Sequence, residues 1–303
     1  MKILILGAHG QVGWELARTL PALAPVDAWD RASADLEDLD GLAAKVRRAA
    51  PAIIVNAAAY TDVDRAESEP GRAYRVNAEA VEVLSACAKE LDGYLIHYST
   101  DYVFDGTKES PYVETDRPNP LGVYGQTKLA GEEAIRRSGC RHLLFRTSWV
   151  FAARGRNFPR TILRRAAEEE ELRIVEDQFG APTRASLIAG ITRRALERVV
   201  DGKPGEDGPA GTYHIASRGE TSWYEYARFL LEEALKHGYK TRLRGEGILP
   251  IPTSEFPRPA MRPGNSRLNT GKLESWLGVT PEPWQTGVAA AVREIVSERE
   301  PVP

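Results

Sequence analysis

The sequence is poor in several things, and each shortage removes a class of explanation. Its 303 residues include only two cysteines, Cys87 and Cys140. Two thiols without metal-ligand spacing build neither a disulfide framework nor a zinc site. Cys87 falls in an apolar helical pattern and reads as a reduced, buried thiol. No apolar run approaches the ~20 residues that a membrane-spanning helix needs. Charge of one sign is lacking too: 40 basic residues against 43 acidic ones leave a net charge of −3. That balance carries no electrostatic footprint for nucleic acid or a membrane, although a phosphate-bearing small ligand needs only a local basic patch. No charged and then apolar leader precedes the first apolar run, so a cytoplasmic location is expected. Internal repeats and low-complexity segments are absent. The 42% apolar and 27% charged residues suit a globular chain, either one large α/β unit or two modest domains.

What is present is an alternation. Residues 2–7, "KILILG", read as a fully buried strand. The helix that follows places Val12, Leu16 and Leu20 four apart on one face. Strand and helix patterns then alternate: "APVDAWD", an amphipathic stretch ending at Pro51, "AIIVNAAA", one long helix over "ESEPGRAYRVNAEAVEVLSACAKELDG", "YLIHYST", the helix "YGQTKLAGEEAIRRSG" and the strand "RHLLFRTSWVFA". Strands separated by helices of ten or more residues predict a doubly wound, Rossmann-type parallel sheet of the α/β class. Beyond about residue 157 the texture changes. A helix–strand pair, the helix "ASLIAGITRRALERVV", a Gly/Pro-rich surface loop over 201–211, the strand "TYHIAS", a helix starting at a Thr221 cap, an irregular proline-rich stretch and two final helices follow. The expected division is a dinucleotide-binding domain over 1–157 and, over 158–303, a mostly substrate-binding lobe with some segments returning to the first domain.

Two clusters carry chemistry. The first is "GAHGQVG", with Gly7, Gly10 and Gly13 between the first strand and the first helix. One glycine permits a tight turn, the next lets backbone approach a pyrophosphate, and the third lets helix and strand pack closely. The helix N-terminus offers its free N–H groups to the anion, with Gln11 and Val12 beside it. About 20 residues on, Asp30 is placed to accept the adenosine ribose hydroxyls, which favours NADH. Arg31 beside it could pair with the 2′-phosphate of NADPH. Asp35 and Leu36 are candidates for the adenine side. Ala57, Ala58 and Ala59 close the third strand with side chains small enough for a cofactor to lie against.

The second cluster begins at "HYSTDYVFDG", where polar groups crowd the end of an apolar strand. Thr100 and Asp101 stand there, with Tyr98 on the cofactor side. Tyr124 and Lys128 follow as Y-x-x-x-K, on one helix face. An ammonium beside a phenol lowers its pKa, and such a tyrosine can exchange a proton with a carbonyl oxygen. The Thr100 hydroxyl can then hold that oxygen.

The glycine spacing resembles the extended short-chain dehydrogenase/reductase superfamily. With "STDYVFDG", "YGQTKLAGE", "RTSWVFA", "DQFGAPT" and "RPGNSRLNT", it closely resembles the dTDP-4-dehydrorhamnose reductase family over essentially the whole chain. That resemblance implies reduction of the C4 ketone of a dTDP-4-dehydro sugar by NADPH or NADH. It implies Tyr124 as proton donor, Lys128 as its electrostatic partner and ribose ligand, and Thr100 as the hydroxyl that positions substrate. Asp101 would anchor the sugar, Trp149 would pack on the hexose and Arg262 would meet the diphosphate. Some members use metal to dimerise through acidic side chains. That resemblance would put a Mg²⁺ ligand at Glu15, though a surface glutamate on a first helix is ordinarily just solvated; a homodimer is a further expectation. Dehydratases of this kind carry Thr-Asp-Glu at the strand end; the residue after Asp101 is Tyr102, so elimination lacks its second carboxylate.

Two rivals remain at this stage. One is another enzyme on the same scaffold, a reductase for a different 4-keto sugar nucleotide or an epimerase. The other is a non-catalytic cofactor-binding module, like the regulatory subunit of methionine adenosyltransferase. The intact Thr100, Tyr124 and Lys128 set argues against the second.

Overall fold

All four residues of the first strand, β1 (Ile3–Leu6), are buried. They divide by parity, as a pleated strand covered on both faces requires. Ile3 and Ile5 join one apolar cluster, Leu4 and Leu6 another. This computed structural model describes residues 1–201, 210–245 and 247–298. β2 (Val26–Trp29), β3 (Ile53–Asn56), β4 (Tyr94–Thr100) and β5 (Arg141–Thr147) extend the same sheet, all in parallel. Helices α1 (Gln11–Thr19), α2 (Leu39–Ala49), α3 (Val63–Ser68), α4 (Pro70–Tyr74), α5 (Ala80–Glu90) and α6 (Val123–Ser138) connect them. Leu42, Val46 and Leu84 cover one face, and Leu16 and Leu20 the other.

The later chain contributes β6 (Val150–Phe151), α7 (Phe158–Glu168), β7 (Leu172–Val175), β8 (Phe179–Gly180), β9 (Thr183–Arg184), α8 (Ala185–Asp201), β10 (Gly211–Ile215), β11 (Thr221–Ser222), α9 (Trp223–Lys236), β12 (Ile248–Ile251), α10 (Gly271–Leu277) and α11 (Trp284–Ser297). Some of it returns to the large sheet. β10 pairs with β5, giving the order β10-β5-β4-β3-β1-β2. Ile188 and Ile191 of α8 pack in the same cluster as Leu16 of α1. The rest has its own core, in which Leu163 of α7, Leu230 of α9 and Val288 of α11 meet Leu172 of β7.

Several expectations need correcting. The long helix expected before β4 is broken. Glu69 leaves helical geometry (φ −123°, ψ 49°) because it precedes Pro70, and a π turn spans Arg75–Glu79. The "RHLLFRTSWVFA" strand is interrupted after Thr147, and Trp149 takes φ +48°. The cap of α9 is Ser222, which accepts from the Glu225 N–H, not Thr221. The proline-rich stretch is not wholly irregular. Its first residues form β12, which pairs with β7 alone, so Pro250 costs no second ladder. Most of the Gly/Pro-rich loop over 201–211 lies outside the described residues. Among those described, no helix is long and apolar enough to cross a membrane.

Candidate active site

In the sheet order, β1 has β2 on one side and β3 on the other, so the chain reverses direction across the sheet between β1 and β3. Parallel sheets bind ligands at the carboxyl ends of the strands beside such a switch. A cavity of about 1050 Å³ opens at that place.

Its β1 end is made of backbone. Gly7 adopts φ +80°, and a Cβ there would lie 2.7 Å from the Ala58 nitrogen. Gly10 caps α1 without any side-chain hydrogen bond, which leaves the helix N–H groups open to an anion. Gly7, Gly10, Gln11 and Val12 all line the cavity. Gly13 does not. It is buried one turn further on, where a Cβ would fall 2.1 Å from the Gly7 carbonyl, so its work is close packing. Ala57, Ala58 and Ala59 form the adjoining wall.

The far end of the same groove carries charge. Asp30 accepts from the Ser33 N–H at 2.9 Å and the Ser33 hydroxyl at 2.7 Å, and these bonds hold its carboxyl below the ordinary range. Arg31 is committed to carboxylates: its Nη2 donates to Glu37 at 2.6 Å and its Nε to Asp35 at 3.3 Å. Arg72 donates to Glu37 as well. Asp30, Arg31, Asp35 and Leu36 line this part of the cavity.

The β4 end is made of side chains. Thr100, the last residue of β4, accepts from the Tyr102 N–H at 3.1 Å and donates to Asp101 at 3.1 Å. The buried Asp101 carboxyl is pushed up to about 6 by desolvation, with the Ser266 and Thr100 hydroxyls opposing. Tyr124 stands in the first turn of α6, near the Thr100 hydroxyl. Burial pushes its phenol up to about 12, which corrects the expected lowering by Lys128. The Lys128 ammonium group is engaged elsewhere, 2.7 Å from the Tyr98 carbonyl and 3.2 Å from His97 Nε2. Desolvation brings it down to about 8, against the pull of Glu132. Tyr98, Thr100, Asp101, Tyr124 and Lys128 thus share one cavity with the glycine turn.

Beneath them lies a buried ion pair. Arg146 Nε and Nη2 donate to the two Glu132 oxygens at 2.8 and 2.6 Å, both residues at most 1% exposed. This clamp ties α6 to β5 one helical turn past Lys128.

Three expected residues behave differently. Trp149 lines the cavity, but as half of a stacked pair with Trp223, ring centroids 3.7 Å apart. Gly180 backs it, since a Cβ there would lie 2.5 Å from the Trp149 indole. Sequence reasoning missed Trp223, because nothing local marks a helix-start tryptophan as a partner from 74 positions away. Arg262 does not line the cavity. Its Nη2 donates to Asp64 at 2.8 Å, and its guanidinium lies over the Tyr102 ring. Glu15 is also outside it. Its carboxyl is raised by burial and faces Arg184, which is itself paired with Glu294. Among the described residues no group of three His, Cys, Asp or Glu is placed to hold a metal ion, so the Mg²⁺ expectation is not supported.

Comparison with known proteins agrees over nearly the full length. The family model described as the RmlD substrate binding domain matches residues 1–297. The dTDP-4-dehydrorhamnose reductase of Escherichia coli K12 is 48% identical over 299 residues, covering 97% of this chain and 98% of that one. That of Burkholderia thailandensis is 48% identical over 298 residues, covering 98% and 100%. A crystal structure of the Bacillus anthracis reductase in complex with NADP superposes with a TM-score of 0.86 at 30% identity, covering 95% and 97%.

Proposed function

The chain belongs to the RmlD substrate binding domain family, and from that membership and the site's geometry we propose that it reduces the C4 ketone of dTDP-4-dehydro-L-rhamnose to dTDP-L-rhamnose with NADH or NADPH. The observation that carries the reading is the meeting of Thr100, Tyr124 and Lys128 with the glycine turn in one cavity.

A dinucleotide fits the residues present. Gly7, Gly10 and Ala57–Ala59 line the cavity with little or no side chain, and no side chain caps the start of α1. Asp30 faces the groove where the ribose hydroxyls of an adenosine would lie. The dinucleotide, when bound, supplies hydride to the carbonyl carbon. This chain's residues do the rest. Tyr124 donates its proton to the carbonyl oxygen as that oxygen gains charge. The raised phenol holds its proton until then, as an acid must. Thr100, pinned by the Tyr102 N–H, fixes the oxygen's position. The Glu132–Arg146 clamp holds α6, and with it Tyr124, against β5, the strand paired with β4. The stacked Trp149 and Trp223 form an apolar wall for the sugar.

The charge around Asp30 favours NADH: a 2′-phosphate would meet its carboxylate while Arg31 is held by Asp35 and Glu37. The test is turnover of dTDP-4-dehydro-L-rhamnose with each cofactor, product identified by NMR. Stoichiometric formation of dTDP-L-rhamnose is expected. Oxidation of cofactor only with a different 4-keto sugar nucleotide would move the protein to another reductase, and no oxidation with any would end the proposal.

A further inference from the structure

Three arginines converge on one residue at the outer end of the groove. Glu37 stands between β2 and α2, and two of them share its carboxylate. Arg31 Nη2 donates to Oε1 at 2.6 Å. Arg72, arriving from α4, donates from Nη2 to the same oxygen at 2.9 Å and from Nε to both oxygens at 3.0 and 3.1 Å. The Glu37 backbone is held separately. Its N–H donates to Asp35 Oδ1 at 3.0 Å, and its carbonyl accepts from Arg75 Nε at 2.7 Å. The main chain is thus fixed by its own hydrogen bonds, and the carboxylate is left to act on the two guanidiniums.

Each of these guanidiniums has a second carboxylate, at longer range. Arg31 Nε lies 3.3 Å from Asp35, and Arg72 Nη1 lies 3.3 Å from Glu69. Glu69 is already engaged by Arg65 at 2.7 Å and by the Tyr60 hydroxyl at 3.0 Å. Glu37 therefore makes the shorter contacts to both arginines.

Position gives this arrangement its meaning. Arg31, Glu37 and Arg72 line the same cavity as Asp30, just past the end of β2. In sheets of this kind a carboxylate there accepts from the adenosine ribose hydroxyls, and a nearby arginine takes the 2′-phosphate when one is present. A guanidinium fork matches phosphate oxygens. The groove thus holds two groups of the right chemistry for that phosphate, both neutralised by one carboxylate. Asp30 repels the phosphate; Glu37 withholds the partners it would need. A phosphate that drew the arginines away would leave the Glu37 carboxylate unpaired beside it.

We infer that Glu37 is a specificity-determining residue: it holds Arg31 and Arg72 from the 2′-phosphate position and so sets a preference for the unphosphorylated dinucleotide. The inference rests on the dinucleotide reading of the cavity and on no particular sugar. With glutamine at this position the charge is gone, the backbone bonds remain, and each arginine keeps only its 3.3 Å contact.

The experiment titrates the full chain with NADH and NADPH, which differ only in the 2′-phosphate, with no sugar nucleotide present. The unsubstituted protein should bind NADH the more tightly. Glu37→Gln should tighten NADPH by about tenfold or more and leave NADH within about twofold. Glu37→Ala, which lacks the amide as well, should shift the ratio in the same direction. In turnover the kcat/KM ratio should follow. Arg31→Met or Arg72→Met added to Glu37→Gln should each remove part of the gain, and the two together all of it. Tighter NADPH binding by the unsubstituted protein, or no gain in either Glu37 variant, overturns the inference. So does an equal loss of both dinucleotides, the mark of a carboxylate that only braces the loop. A gain that survives removal of both arginines also overturns it, since repulsion by Glu37 would then suffice. If the unsubstituted protein binds neither dinucleotide, the cofactor reading and this inference fall together. A gain as expected without turnover of any sugar nucleotide would overturn the substrate reading and leave this inference standing.

Discussion

The two strand ends that meet in the cavity are built by opposite means. At the end of β1 the chain strips side chains away, and the backbone N–H groups of α1 face the space that is left. At the end of β4 it concentrates side chains, with Ser99, Thr100 and Asp101 buried beside Lys128 and His97. The first design needs only local freedom: glycine tolerates φ +80°, and nothing larger fits against Ala58. The second needs partners. A buried polar group without a hydrogen bond costs roughly 1–3 kcal/mol; Lys128 from α6 meets that cost by donating to the Tyr98 carbonyl, while Ser99 Oγ and Asp101 Oδ2 are left without a partner among the described residues. A cradle for an anion is therefore cheap to encode, while a place for proton transfer recruits distant chain.

The sharpest way to separate the two ends is Tyr124→Phe. Turnover should fall by about 10²–10⁴-fold while dinucleotide affinity, measured by calorimetry, stays within a fewfold. Unchanged turnover would remove the β4 end from the chemistry. Gly7→Ala tests the other end. It places a Cβ 2.7 Å from backbone at a left-handed φ. The expected cost is about 2–4 kcal/mol in thermal stability, dinucleotide affinity or both, with no rotamer available to relieve it. An alanine accepted at no cost would show that the turn is not confined by Ala58.

Asp101→Asn probes what the crowding at β4 costs. The folded carboxyl is raised to about 6, above its value in an unfolded chain. The folded state therefore binds more protons between about pH 4 and pH 6, and stability falls as pH rises through that window. Removing the charge should raise stability by on the order of 1–3 kcal/mol at pH 7.5 and change it little at pH 4, read from denaturant midpoints at both. Equal effects at the two pH values would mean that packing, and not charge, decides. The smallest effect is expected at the groove's outer end. Asp30→Ala should shift the kcat/KM ratio toward NADPH by about tenfold without altering the NADPH rate much.

The same contrast explains which parts could be read from residue order. The glycine turn and the alternating sheet were legible, because they depend on spacing within a few residues. The cluster at Thr100 and the Tyr124–Lys128 pair were visible as patterns, but what those groups touch was not. Lys128 was expected to act on Tyr124; its Nζ instead meets His97 and the Tyr98 carbonyl. Arg262 was expected at a diphosphate and is paired with Asp64, 198 positions away along the chain. Trp149 was expected to pack on the hexose; it lines the cavity, stacked on Trp223.

Sequence by itself determined a parallel α/β sheet, a backbone cradle after β1 and a phenol and a lysine on one turn of helix, because periodicity, glycine and i,i+4 spacing are local properties. Tertiary structure alone decided which charges are paired and what each buried polar group touches. Those outcomes depend on desolvation and on hydrogen-bond partners supplied from elsewhere in the chain, and no spacing along it records them.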